Sequence, residues 1–213
     1  MEEGFMGNFY KFMEWITRFL FVNVLWMFFS LLGLIIFGFF PATTAMFTSV
    51  RKWLQSEADI PIFKTFWDTY KKDFFKSNGL GYILCIIGYV FYLDILIVKN
   101  ASHQLLQLAF YPLSVIIILY VLTLLYIFPV FVHFETKLMH VLKNALLIMM
   151  LHPVISILMG TGAIIVFIIF YFVPVLIPLF GGSVSAFVLM WYSNFAFVKV
   201  QERKQISDQD DQD

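Results

Sequence analysis

The chain predicts an all-α, polytopic membrane protein: five transmembrane helices, with an amphipathic cytoplasmic helical segment between the first and second. Three observations carry this. Of its 213 residues, 61% are hydrophobic and only 13% charged, against about 25% charged in an ordinary soluble domain. Several long runs contain no Asp, Glu, Lys or Arg, and about 20 apolar residues suffice to cross the hydrocarbon of a bilayer. One stretch, residues 41–79, breaks the pattern by interleaving charge with aromatic residues at helical spacing.

Taken in order, residues 2–18 alternate charge and aromatics, as an interfacial prelude does. The first span is expected at residues 19–40, ended by Pro41. Within 41–79, Met46, Phe47, Val50, Trp53 and Leu54 suggest a short helix. A second helix follows with the stripe Phe63, Phe66, Trp67, Tyr70 and Phe74 facing away from Lys64, Asp68, Lys71, Lys72 and Lys76. Asp59 is the expected cap, Pro61 the first-turn residue and Asn78-Gly79 the stop. The second span is expected at 80–98 and the third at 108–132. The uncharged run 144–198 requires two crossings, 145–172 and 182–198, turned where Pro174, Pro178, Gly181 and Gly182 cluster. Residues 1–204 then form one membrane domain, and the polar, acidic tail 205–213 is expected to be disordered.

Lys and Arg concentrate in the first loop, the third loop and the tail, leaving Lys11, Arg18 and Lys99 on the other side. Five crossings and the positive-inside rule therefore put the amino terminus outside and the carboxy terminus in the cytoplasm. The opening residues, MEEGF, have no basic n-region, so no removable signal peptide is expected. A formal charge of zero gives no basic excess to hold nucleic acid, and Cys85 alone builds neither a disulfide nor a thiolate metal site within one chain.

Two intramembrane polar residues are candidates for function. Asp94 lies within a span, where a carboxylate is costly, although its nearness to Lys99 also suits a place at the headgroups. His152-Pro153 puts an imidazole beside a carbonyl that the proline leaves without its amide, which suits either a site or a kink bonded to a neighbouring helix. His133, Glu135 and His140 match no zinc spacing, and Gly160-Thr161-Gly162 lacks the context of a dinucleotide fingerprint. No nucleophile elbow or paired-carboxylate cluster occurs, so no catalytic, metal or cofactor residue is assigned. Asn23, Ser30, Ser156, Ser183, Ser185 and Asn194 suit interhelical hydrogen bonds. No internal repeat of the kind found in secondary transporters is visible.

Asn23-Val24-Leu25-Trp26, Phe40-Pro41-Ala42-Thr43-Thr44-Ala45, Val50-Arg51-Lys52-Trp53 and the Phe63/Phe66/Tyr70/Phe74 helix together resemble the YesL family of small bacterial membrane proteins. That family is one of unknown function from Gram-positive bacteria, often encoded beside ABC importers and enzymes for complex plant carbohydrates. The resemblance implies a role near sugar uptake by context and brings no catalytic residue with it. The expectation is a non-enzymatic accessory or assembly subunit of a carbohydrate ABC importer, embedded in the lipid bilayer and docked on permease subunits through the stripe. The alternatives are a solute conductor lined by Asp94 and His152 and, ranking last, a membrane-embedded metalloenzyme.

Overall fold

A computed structural model describes residues 5–55, 60–100, 108–134 and 136–210. Among them there are eight helices and no strand: α1 (Phe5–Leu32), α2 (Phe39–Leu54), α3 (Ile62–Lys72), α4 (Phe74–Lys99), α5 (Phe110–His133), α6 (Leu138–Leu151), α7 (Pro153–Phe172) and α8 (Leu176–Asp210). Five of these, α1, α4, α5, α7 and α8, are long and apolar enough to cross a membrane. The fold class and the number of apolar spans agree with the sequence.

The first span begins and ends earlier than expected. It ends at Leu32, and residues 33–38 form a turn from which α2 runs back antiparallel. Trp26 at the turn end meets Phe39 and gives its indole N–H to Thr43, 3.0 Å away. At the other end Trp15 and Phe19 pack edge-on against Trp53, with centroids 6.0 and 5.8 Å apart.

The returning helix α2 is the hub of the bundle, in contact with α1, α3, α4, α5 and α8. The amphipathic segment was expected to begin at residue 41 on the surface; instead α2 buries ten residues from Pro41 to Trp53. Small side chains explain how. Ala42, Ala45 and Ser49 are fully buried and let neighbouring backbones approach closely. The hydroxyls that would make such a helix insoluble in a core are spent locally. Thr43, Thr48 and Ser49 donate to the carbonyls of Phe39, Thr44 and Ala45, one turn back. Pro41 sits in the first turn, where its missing amide costs nothing.

The turn itself is apolar and outward, with Leu34 76% and Ile36 63% exposed. Its polar backbone is satisfied internally, as lipid requires. The amides of residues 33–37 all bond to carbonyls between Phe29 and Leu34. From α4, the Asn78 amide donates to the Phe37 carbonyl at 2.9 Å and the Tyr82 hydroxyl to that of Ile36 at 3.3 Å.

Other boundaries move for related reasons. Asn78-Gly79 does not end the amphipathic helix; Asp73 does, and Asn78 lies inside α4 with its amide engaged on the turn. The tertiary partner outweighs the capping preference. The fourth span divides at His152, with α6 before it and α7 beginning at Pro153, a first-turn proline. Pro178, Gly181 and Gly182 lie within α8, which starts at Leu176, so the turn is confined to residues 173–175. The expected disordered tail is helical through Asp210, continuing α8 with good helix formers such as Gln, Glu and Lys. The proposed cap Asp59 falls outside the described residues.

Candidate functional site

Of the expected docking stripe, two members are covered by the chain itself. Phe66 is fully buried and Tyr70 is 5% exposed, both lodged with Trp67 against Phe29 of α1 at centroid distances of 5.1 to 5.4 Å. Phe66 and Tyr70 are thus core residues rather than an open docking face. Phe74 packs edge-on to Tyr70, while Phe63 remains 54% exposed. Lys71 lies over the Trp67 ring and pairs with Asp68 on the outward side. Burial pushes the Tyr70 phenol above its usual 10.0, so it stays a donor toward the Phe29 carbonyl, 3.4 Å away. The unfolded chain loses that proton first, so this contribution is whole below pH 10.0 and fades as pH rises past it.

Asp94 is half-buried on the far half of α4, with no hydrogen bond or ion pair among the described residues. His152 is buried between α6 and α7. Its carbonyl and that of Met149 accept from the Ser156 hydroxyl, which also meets the Tyr126 hydroxyl at 3.1 Å. Among the described residues no hydrogen bond or ion pair joins Asp94 to His152, so the two candidate residues are not brought together. Glu135 lies outside the described residues, among which no His, Cys, Asp and Glu group has metal-binding geometry.

Two of the remaining buried polar side chains pair helices. Asn23 is fully buried; its amide nitrogen donates to the Pro178 carbonyl at 2.7 Å, and its oxygen accepts from the amides of Gly182 and Ser183 at 2.9 and 3.1 Å. The side chain thereby clips α1 into the first turns of α8. Ser77 likewise donates to Thr44 at 2.9 Å, whereas Ser185 bonds only within its own helix, to Gly181. Replacing Asn23 with Leu is expected to lower stability by about 2 kcal/mol, because buried backbone groups on α8 lose a partner. Thermal unfolding of the detergent-solubilised protein measures this, and an unchanged midpoint would mean that α8 satisfies those groups alone.

One polar cavity stands apart from these. It encloses about 350 Å³ between α2, α3, α4 and the end of α5, with Arg51, Lys52, Lys72 and Lys76 in its wall beside Asp73. Arg51 spans the cleft floor, its guanidinium donating to the Val132 carbonyl of α5. The charges were visible in sequence, but their convergence depends on α2 folding back, which no local signal announces.

Comparison with known proteins places this architecture in company. A model of the family described as "Protein of unknown function, DUF624" matches residues 19–95, which run from α1 to most of α4 and include every motif of the resemblance. Three curated Bacillus subtilis (strain 168) proteins are similar over nearly the full chain. The uncharacterized protein YteU is 36% identical over 94% of this chain and 90% of its own length. The uncharacterized protein YesL is 34% identical over 91% of both. The uncharacterized protein YesV is 32% identical over 88% and 90%. No solved structure matches.

Proposed function

We propose, from the premise that this chain belongs to the DUF624 (YesL) family of multi-pass membrane proteins, that it is a non-enzymatic accessory or assembly subunit of a bacterial carbohydrate ABC importer. The observation that carries this is the fixed presentation of α3. Anchored by Phe66 and Tyr70, the helix holds Phe63, Lys64, Asp68 and Lys71 outward on a surface that needs no ordering before a partner arrives. Conduction by the chain alone is disfavoured because no bond joins Asp94 to His152 among the described residues, and the buried Asn23 amide and the Tyr126–Ser156 hydroxyls join helices. Affinity purification of the full chain from native membranes tests the reading. Stoichiometric permease subunits are expected; a pure oligomer that still supports sugar uptake in reconstituted vesicles would replace it with the conduction reading.

The same geometry supports a revised orientation in the cell membrane. With α2 returning the chain, the passes become even in number, and the Trp15–Trp53 contact puts the start of α1 beside Arg51 and Lys52. Lys11 and Arg18 then join the cytoplasmic cations, and Lys99 is left as the sole basic residue of the opposite end in the sequence. Reporters ahead of Phe5 and after Lys204 are both expected to be cytoplasmic, with a cysteine at Asn100 labelled from outside. An external amino-terminal reporter would restore the five-pass topology.

A further inference from the structure

We infer that the cleft between α2, α3, α4 and α5 binds a phosphate group, carried either on an anionic lipid headgroup or on a soluble phosphorylated molecule. The inference is independent of the importer reading. Four cations, Arg51, Lys52, Lys72 and Lys76, share one wall with a single carboxylate, Asp73, in a volume at the lower end of the range for small-ligand sites, about 300–1,000 Å³. Thr48 and Thr69 add hydroxyls to the same wall.

A purely structural account covers part of this cluster. Arg51 and Lys52 lie in the last turn of α2 and Lys72 in the last turn of α3, where the helix dipole favours a cation. Arg51 also holds the Val132 carbonyl. Lys76 does not fit that account. It is the third residue of α4, whose N-cap is Asp73 and whose first turn holds no further acid; one carboxylate faces four cations there, where the dipole disfavours positive charge and the backbone amides themselves attract anions. An anion in the cleft meets Lys76 and the other converging cations, which outnumber the one carboxylate, and suits the helix end behind it. The position also fits a membrane surface, since basic pockets between transmembrane helices on the cytoplasmic side take anionic headgroups.

The test uses the full chain in phosphatidylcholine nanodiscs, followed by thermal unfolding. In one arm phosphatidylglycerol replaces part of the lipid; in the other, inorganic pyrophosphate is titrated. A raised midpoint in the first arm alone supports a headgroup, and in the second a soluble phosphate. Lys72→Gln/Lys76→Gln, at two exposed positions, is expected to weaken the effect about thirtyfold in concentration. Lys143→Gln/Lys199→Gln, which removes the same charge from exposed positions outside the cleft, should leave it unchanged. The inference is overturned if neither arm raises the midpoint, or if both double variants lose the effect equally.

Discussion

Gly38→Ala is expected to destabilise the protein by about 4 kcal/mol or more and to cut its accumulation in the membrane, because the turn between α1 and α2 has no room for a methyl group. A Cβ built there would lie 2.5 Å from the Phe29 carbonyl oxygen, 2.6 Å from that of Ser30 and 2.9 Å from the Gly33 Cα. All three are backbone atoms, so no rotamer change relieves the collision. Conformational freedom is not the reason, since Gly38 has φ −90° and no glycine among the described residues has positive φ. Leu34 and Ile35 carry that burden, with φ 55° and 64°, a region costly for a β-branched side chain. The turn is strained and held from outside by Asn78 and Tyr82. Gly160→Ala is the control. Its Cβ would meet only Leu122 Cδ2 at 3.9 Å, and replacing a mid-helix glycine stabilises by up to about 1 kcal/mol. If Gly38→Ala unfolds no earlier than Gly160→Ala, the α1–α2 turn is looser than described.

The sequence made the five apolar spans legible because lipid rewards every uncharged residue of such a run, and hydropathy measures that reward. It announced α2 as a short helix but not its burial, because the solvent of α2 is protein. Thr43, Thr44 and Ser49 read as surface residues only while their back-bonded carbonyls and the Ser77 hydroxyl remain out of view. Under the orientation proposed above, the return of α2 also alters the parity of the passes, and with it the side on which Lys11 and Arg18 are counted. The His152-Pro153 break was legible as a kink, since proline removes an amide whatever surrounds it. The cleft was not legible, because Arg51, Lys72 and Lys76 meet only through the return of α2 and the register of α3 against it. The aromatic stripe fell between these cases. Its periodicity was plain, but what covers it, Phe29, stands in another helix at no fixed spacing.

Phe66→Ala is therefore expected to cost about 3–5 kcal/mol, the usual loss for a fully buried phenylalanine that leaves a cavity. Phe66 has no exposed surface and sits 5.4 Å from the Phe29 ring, which also touches Phe63, Trp67 and Tyr70. Phe29 is the common partner, so removing Phe66 loosens the seat of the whole helix. Phe63→Ala, at a site 54% exposed on the same stripe, is expected to change stability by no more than about 0.5 kcal/mol. A lipid-lying or partner-bound stripe makes the opposite demand: both positions would be near neutral in the isolated protein, and losses would appear in membrane affinity or in complex yield. Thermal unfolding of the two variants in the same detergent separates these arrangements, because only a helix seated on α1 loses stability at Phe66 and keeps it at Phe63. Equal, small losses at both positions would unseat α3 from the core and return Phe66 and Tyr70 to the surface available for docking.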